Sequence, residues 1–157
     1  MITPLRAQTV DWGNVEELKR ILVKNPNLNV NWKAEWGSGN SALIRACGDD
    51  CDSIVSILLA HPTIDVNLSN YNGETPFERA CCKGHTSSVL LLLKDQRAKI
   101  NELDNQGHTP LWFAAVNGRH AIIKLWIASG REIDLGTPGD GKTDAIGGRI
   151  HRSGDPA

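Results

Sequence analysis

The sequence predicts an all-α fold, a solenoid of stacked helix-turn-helix units with short β-hairpin loops. Three features predict it: a repeat of constant length, helix-start and helix-end residues at the same place in each copy, and apolar residues in register. Gly39, Gly73 and Gly107 stand 34 residues apart and head the runs GNSALIRAC, GETPFERAC and GHTPLWFAA. One unit of this length cannot bury its apolar face alone, so the units are expected to stack.

The first helix of each unit begins and ends at residues suited to those positions. Thr75 and Thr109 can accept a hydrogen bond at the helix N-cap, and each is followed by a proline, which needs no amide hydrogen there. Gly84 and Gly118 can adopt the left-handed conformation that ends a helix, with Asp50 as a poorer equivalent. The spacing predicts helices of about two turns.

A second, apolar helix is predicted in each unit, at residues 54–59, 89–93 and 122–127. Two units then close on the segments IDVN and KIN, which end at Asn67 and Asn101, and a polar turn leads to the next glycine. The segment WKAEWGSG makes the first full copy two residues longer, and we expect the extra residues at a hairpin tip. The unit is therefore helix, turn, helix and hairpin.

The unit resembles the ankyrin repeat, whose pattern is a hairpin glycine, TPL, a small-residue pair, a helix-ending glycine, a leucine-rich second helix and a closing VN. The best copy is NQGHTPLWFAAVNGRHAIIKLWIASG, and an N-terminal unit from Thr3 is looser, as end units usually are. The resemblance covers roughly residues 3–143. It implies an ankyrin repeat domain at 1–148, with repeats near 1–34, 35–68, 69–102 and 103–136, a partial fifth at 137–148, and a disordered tail at 149–157.

The composition argues against several classes of partner. Lys and Arg number 17 against 18 Asp and Glu, so the formal net charge is −1 and there is no basic excess for nucleic acid or an anionic membrane. No apolar stretch approaches the roughly 18 residues of a membrane span. Cys47, Cys51, Cys81 and Cys82 form no secreted-domain framework, which indicates a reducing compartment, cytoplasmic or nuclear.

A short segment, GTPGDGKT at Gly136–Thr143, fits the pattern of a phosphate-binding loop in which Lys142 would reach the outer phosphates. Such a loop follows a buried strand and opens a helix beside a parallel sheet. Here it follows a helical segment, and only 14 residues come after it. The 34-residue register instead relates Gly107 to Gly141. The start of a fifth repeat is therefore favoured over a nucleotide-binding protein, and no cofactor is predicted.

Two other constellations suggest chemistry at first sight. Cys47, Cys51, Cys81 and His85 have the spacing of a four-ligand zinc set. Equivalent positions on stacked helices lie roughly 8 to 10 Å apart, whereas zinc binds sulfur at about 2.3 Å. Small buried residues are therefore favoured over a metal site. The five histidines are scattered and the carboxylates fall on turns and solvated faces, so the sequence predicts no catalytic set and no enzyme.

The resemblance implies that protein partners bind the hairpin tips and the exposed face of the first helices. Tryptophan and tyrosine are favoured in such sites because they bury much area at low entropic cost. Carried onto this chain, the partner-binding residues are Trp36, Ser38, Asn40, Asp49, Tyr71, Asn72, Glu74, Lys83, Asn105, Gln106, His108, Trp112 and Asn117. The alternative, that these residues only solvate the turns and pack locally, stays open.

The expected function is that of a protein–protein interaction module, a scaffold or adaptor. The alternatives are the nucleotide-binding protein above and a regulatory fragment of a larger multidomain ankyrin protein. The resemblance also places Asn67 and Asn101 at the position that an asparagine hydroxylase modifies in some family members. Hydrogen bonding that closes the loop is the favoured role of both side chains.

The end of the chain does not complete another unit. The helix at 122–127 is apolar on more than one side, although a terminal repeat needs a polar outer face. The last residues, GGRIHRSGDPA, are too polar for a further helix. We expect residues 137–148 to cover part of this face. A partner, residues beyond a truncated end, and weak self-association through the uncapped C-terminal repeat are the alternatives.

Overall fold

The computed structural model describes residues 14–35 and 37–134. This part of the chain contains seven helices: α1 (Val15–Lys24), α2 (Ala42–Gly48), α3 (Asp52–Leu59), α4 (Pro76–Lys83), α5 (Thr86–Lys94), α6 (Pro110–Val116) and α7 (His120–Ala128). The last six form three consecutive helix pairs. The predicted all-α repeat fold is therefore confirmed.

The first helices begin and end as their sequence predicts. The hydroxyls of Ser41, Thr75 and Thr109 each accept a hydrogen bond from the amide three residues later, at 3.4, 3.2 and 3.1 Å. At the other end, Gly84 has a φ of 90° and Asp50 a φ of 59°, so both adopt the left-handed conformation. Each pair of helices is thus separated by a short turn.

The helices form two layers. One layer contains α2, α4 and α6 side by side, and the other contains α1, α3, α5 and α7 in that order. Leu58, Leu92 and Trp126 occupy equivalent positions in the second layer, and all three are fully buried. The ring of Phe77 in α4 meets the edge of Trp126 with centroids 4.9 Å apart. Apolar contacts of this kind join neighbouring repeats into one core.

The loops between repeats close as hairpins, with little regular β-structure. Lys33 and Ser41 form one isolated antiparallel bridge. Backbone hydrogen bonds close the hairpins, from Ala34 to Asn40 at 3.3 Å, from Asn70 to Glu74 at 3.0 Å, and from Asp104 to His108 at 3.0 Å. The enlarged first hairpin lies at residues 34–40, where the sequence placed its extra residues.

The closing asparagines connect each repeat to the next. Asn67 donates through Nδ2 to the carbonyl of Arg97 at 2.9 Å, and its Oδ1 accepts from the amide of Lys99 at 2.7 Å. Asn31 and Asn101 form the same pair of bonds with loops one repeat later. Both polar ends of each side chain are therefore used in holding neighbouring repeats together.

Side chains from the helix-to-helix turns complete the ends of the preceding first helices. A ring nitrogen of His85 lies 3.1 Å from the carbonyl of Gly48, and Arg119 donates through Nε to the carbonyl of Cys82 at 3.2 Å. The last carbonyls of a helix have no partner within that helix. These contacts satisfy two of them and fix the offset between successive repeats.

The cysteines belong largely to the core. Cys47 and Cys81 are fully buried, and burial raises the pKa of both thiols. All four cysteines are free of disulfides. In the part of the chain that the structure describes, no group of three or more His, Cys, Asp or Glu side chains could hold a metal ion. In the same part, every helix is too short or too polar to cross a membrane.

The far end of the array is less covered than its middle. Val116 of α6 and Ile127 of α7 are 57% and 65% exposed. Ala115, which the register equates with buried Cys47 and Cys81, is exposed. The sequence segments predicted to lie beyond the ends fall outside the described residues: the first helix from Thr3, the fifth unit with Gly136–Thr143, the covering segment 137–148 and the tail 149–157.

Candidate functional site

The tips of successive hairpins are joined to one another. The amide of Tyr71 donates to the carbonyl of Ser38 at 2.8 Å, and the amide of Asn105 donates to the carbonyl of Asn72 at 3.0 Å. The side chain of Asn105 adds a bond to the carbonyl of Tyr71 at 2.9 Å. The tips of three repeats therefore form one continuous strip, in which the position of each tip fixes the next.

The turn at each tip is held by a side-chain oxygen. Asn70 and Asp104 each accept two amide hydrogen bonds, from the residues two and four positions later, at 2.8 to 3.0 Å. Asparagine and aspartate favour turns for this reason. Gly73 completes its turn with a φ of 82°, and a Cβ there would lie 2.6 Å from the backbone nitrogen of Asn105. The glycine is thus needed for both conformation and space.

Tyr71 is the most exposed aromatic residue that the structure describes on the strip, at 51%. Its ring lies directly against Gly39, where an added Cβ would be 2.6 Å from a ring carbon. The ammonium of Lys33 lies 4.9 Å from the ring centroid, within range of a cation–π interaction. Tyr71 is therefore held in place while about half of its surface stays exposed.

A polar network lies behind Tyr71. Asn70 donates through Nδ2 to Asn40 at 2.8 Å and to Glu74 at 2.6 Å. The other carboxylate oxygen of Glu74 lies 3.7 Å from Arg79. Asn40 and Glu74, both predicted to contact a partner, therefore use their side chains within the array itself.

An aromatic cluster stands at the next tip. The ring of His108 stacks on Trp112 with centroids 3.9 Å apart, and Phe113 meets Trp112 edge-on at 4.9 Å. Asp104 lies 3.2 Å from His108 and orients that ring. The indole nitrogen of Trp112 is buried and has no hydrogen-bond partner among residues 14–35 and 37–134. The cluster is a half-buried group of aromatic rings beside the strip.

Glu78 is a buried acidic residue in the first turn of α4. It is 1% exposed, and one of its carboxyl oxygens has no hydrogen-bond partner within the described residues. Burial, reinforced by the charges of Asp104 and Glu74, raises the pKa of Glu78 to about 9. The side chain is therefore uncharged near pH 7. The register equates Glu78 with Ile44, which is also fully buried. This equivalence is the feature of the sequence that could have predicted the burial of Glu78.

Comparison with known proteins identifies this architecture. Residues 7–104 match the family model for ankyrin repeats, with three copies. The chain belongs to the ankyrin repeat family. Ankyrin repeats are protein-interaction modules, and ankyrin repeat domains are generally non-catalytic.

The ankyrin region is also similar to part of a larger plant protein. Over 116 residues it is 32% identical to the probable E3 ubiquitin-protein ligase XBOS32 of Oryza sativa subsp. japonica. The match covers 74% of this chain and 23% of that protein. The chain thus spans about a quarter of the length of this curated relative, so the similarity concerns only part of it.

The first helices of the ankyrin array carry the other predicted contact residues at their C-terminal ends, opposite the tips. Asp49 forms an ion pair with Arg45. Lys83 is exposed, and Asn117 donates to the carbonyl of Phe113 at 2.8 Å. The predicted residues therefore form two groups, one at the tips and one at the helix ends. Trp36 lies outside the described residues.

Several residues of the ankyrin surface are not singled out by the sequence patterns. Asn70 and Asp104 build the turns, and the 34-residue register that relates them is a signal for that role. Arg119 is brought to the end of α4 by the stacking of neighbouring repeats, and Val116 of α6 is exposed. Modification of Asn67 and Asn101, whose bonds are described above, stays a prediction.

Proposed function

We propose that this ankyrin array binds a protein partner along one surface, as a scaffold or adaptor. That surface, called the interaction face below, consists of the hairpin tips and the exposed sides of the first helices. Its members are Ser38, Asn40, Asp49, Tyr71, Asn72, Glu74, Lys83, Asn105, Gln106, His108, Trp112 and Asn117, together with Trp36 as predicted from the sequence.

The observation that carries the proposal is the hydrogen-bonded strip of tips. It holds Tyr71 and the cluster around Trp112 in place before any partner arrives. Binding to a rigid surface costs less conformational entropy than binding to mobile loops. Large aromatic side chains in fixed positions are therefore suited to serve as the anchors of an interface.

The proposal includes the cellular compartment in which the protein binds its partner. Cys47, Cys51, Cys81 and Cys82 are all free of disulfides, and two of them are buried in the core. Free thiols are usual in cytosolic and nuclear proteins. We therefore place the binding event in the cytoplasm or the nucleus, which fractionation of the tagged chain tests.

The proposal is tested by affinity capture with the full chain as bait. A double variant, Tyr71→Ala with Trp112→Ala, removes both anchors. The matched control is Leu90→Ala, because Leu90 is a partly exposed residue of α5 in the other layer. We expect the double variant to lose the proteins that the wild type and the control retain. Retention by the double variant together with loss by the control would contradict the proposed face.

A second candidate role follows from the similarity to the probable ubiquitin ligase. In this role, the ankyrin array binds a protein that is then ubiquitylated. The ligase activity itself belongs to another domain or another protein. The test is the ubiquitylation state of any captured partner when the wild-type chain or the double variant is co-expressed. Equal ubiquitylation with both chains would rule out this role.

A further inference from the structure

Three cations surround the C-terminal end of α4. Lys83 is the last residue of that helix and is exposed, and Arg79 lies one turn earlier on the same side. Arg119 reaches across from the α6–α7 turn to the carbonyl of Cys82 at 3.2 Å. An added Cβ on Gly84 would lie 2.9 Å from Arg119, so its guanidinium group covers the helix end. Arg79, Lys83 and Arg119 are called the cationic cluster below.

Few carboxylates neutralise the cationic cluster. Glu74 lies 3.7 Å from Arg79, which is a long ion pair. Lys83 and Arg119 form no ion pair with any residue in the described ranges. Glu78, in the same helix, is buried in its uncharged form near pH 7. The cluster therefore carries a net positive charge that a partner can meet.

The carboxylates of the acidic turn in the preceding repeat contact other side chains and not the cationic cluster. Asp49 pairs with Arg45, and Asp50 lies 3.2 Å from His85. Asp52 accepts a hydrogen bond from Ser88 at 2.9 Å. Within the array, the acidic and cationic turns thus remain separate.

An apolar surface borders the cationic cluster. Asn117, at the end of α6, lies 3.8 Å from the sulfur of Cys82, which places the ends of α6 and α4 side by side. On α6, Val116 is 57% exposed and Phe113 is half-buried. A segment of a partner protein that contacts the cationic cluster can therefore also contact the exposed apolar side chains of α6.

We propose that the helix-end part of the interaction face, extended by the neighbouring Arg79, Arg119, Val116 and Phe113, binds an acidic segment of a partner protein. The carboxylates of that segment contact the cationic cluster, and its apolar residue packs on Val116 and Phe113. This inference rests on the proposed function and adds the chemistry of the partner. Charge complementarity favours such a peptide and speeds its association. A nucleic acid is the less suitable partner, because binding its phosphate backbone needs many Lys and Arg side chains. The net charge of this chain is −1.

The test is a selection of random peptides displayed on phage against the full chain. We expect the enriched peptides to carry several Asp or Glu residues beside a Leu, Ile, Phe or Trp. Affinities of representative peptides are then measured by fluorescence anisotropy at about 50 mM and about 300 mM salt. Binding is expected to weaken at the higher salt, where exposed charges are screened more strongly.

Matched charge reversals assign the site. Lys83→Glu is expected to weaken binding of the acidic peptides about tenfold, because it replaces an attraction by a repulsion. Lys94→Glu makes the same change of net charge at an exposed residue of α5 in the other layer, and we expect no effect beyond about twofold. Val116→Ser tests the apolar contact and is expected to weaken binding as well. Circular dichroism checks that every variant is folded.

The outcomes separate the inference from the proposed function. Acidic peptides weakened by Lys83→Glu but not by Lys94→Glu would support it. Basic or uncharged peptides that bind through Tyr71 and Trp112 would overturn the acidic partner while the interaction face stands. Saturable binding of a mixed-sequence DNA duplex, lost in Lys83→Glu, would also overturn it. Selected peptides that ignore every substitution on the face would overturn both.

Discussion

Asn67 and Lys99 are joined across a repeat boundary by a hydrogen bond of 2.7 Å, which the Lys99 amide donates to the Asn67 side chain. The same asparagine also donates to the carbonyl of Arg97 at 2.9 Å. Repeat proteins are stabilised largely by contacts between nearest neighbours. This single side chain is therefore part of the interface that makes the array behave as one body.

Replacement of Asn67 by alanine should weaken that interface. The change leaves two backbone groups of the next loop without their partner, and we expect the free energy of unfolding to fall by about 1 to 3 kcal/mol. Urea denaturation followed by circular dichroism measures the loss. Asn27→Ala is the control, because Asn27 is exposed and no hydrogen bond of its side chain is seen within the described residues. Equal stability of the two variants would show that the Asn67 bonds contribute nothing.

Replacement of Gly73 by alanine should disrupt the strip of hairpin tips. The new Cβ would lie 2.6 Å from the backbone nitrogen of Asn105, so the neighbouring tip has to move. Gly118→Ala is the control, since it also has a positive φ but its Cβ would meet only His120, at 4.0 Å. Both variants bear the left-handed penalty of roughly 1 to 2 kcal/mol. We expect Gly73→Ala to lower the melting temperature more than Gly118→Ala does, and only Gly73→Ala to speed amide exchange at Asn105. Equal losses in the two variants would refute the clash.

The buried acid Glu78 should make stability depend on pH. Its pKa rises from 4.5 to about 9 on folding, so between these values the folded chain holds a proton that the unfolded chain has lost. Stability therefore falls as pH rises through this window, whereas below it both states are protonated. Glu78→Gln removes the titration.

The comparison of the two chains across pH measures this effect. Relative to the wild type, Glu78→Gln should gain stability between about pH 5 and about pH 9, by on the order of a few kcal/mol in total. Denaturant titrations at several pH values give the difference directly. A difference that stays constant with pH would mean that the carboxyl group is ionised in the folded protein.

The sequence predicts those features that depend on local chemistry or on the repeat register. Thr75 and Thr109 form the caps that their residue type favours, and Gly84 ends α4 in the left-handed conformation. The register also places Trp126 with Leu58 in the core. Capping depends only on neighbouring residues in the chain, and the register depends only on the length of the repeat. Both can therefore be predicted from the sequence alone.

Other features depend on contacts between residues more than 30 positions apart. Arg119 meets the end of α4, although nothing in the local sequence relates it to Cys82. The register equates Ala115 with buried Cys47, yet Ala115 is exposed. Burial of that position depends on what packs against the repeat, which the pattern within a single repeat does not specify.

The most direct test of the central claim, that the interaction face binds protein, is the footprint of a bound segment. Hydrogen–deuterium exchange of the full chain is compared with and without a saturating selected peptide. The account predicts added protection on the interaction face, at residues 79–83 and 113–119 around the cationic cluster and at residues 70–74 and 104–112 along the tips. Protection confined to the second-helix layer, at residues 52–59, 86–94 and 120–128, with none on the interaction face would contradict it.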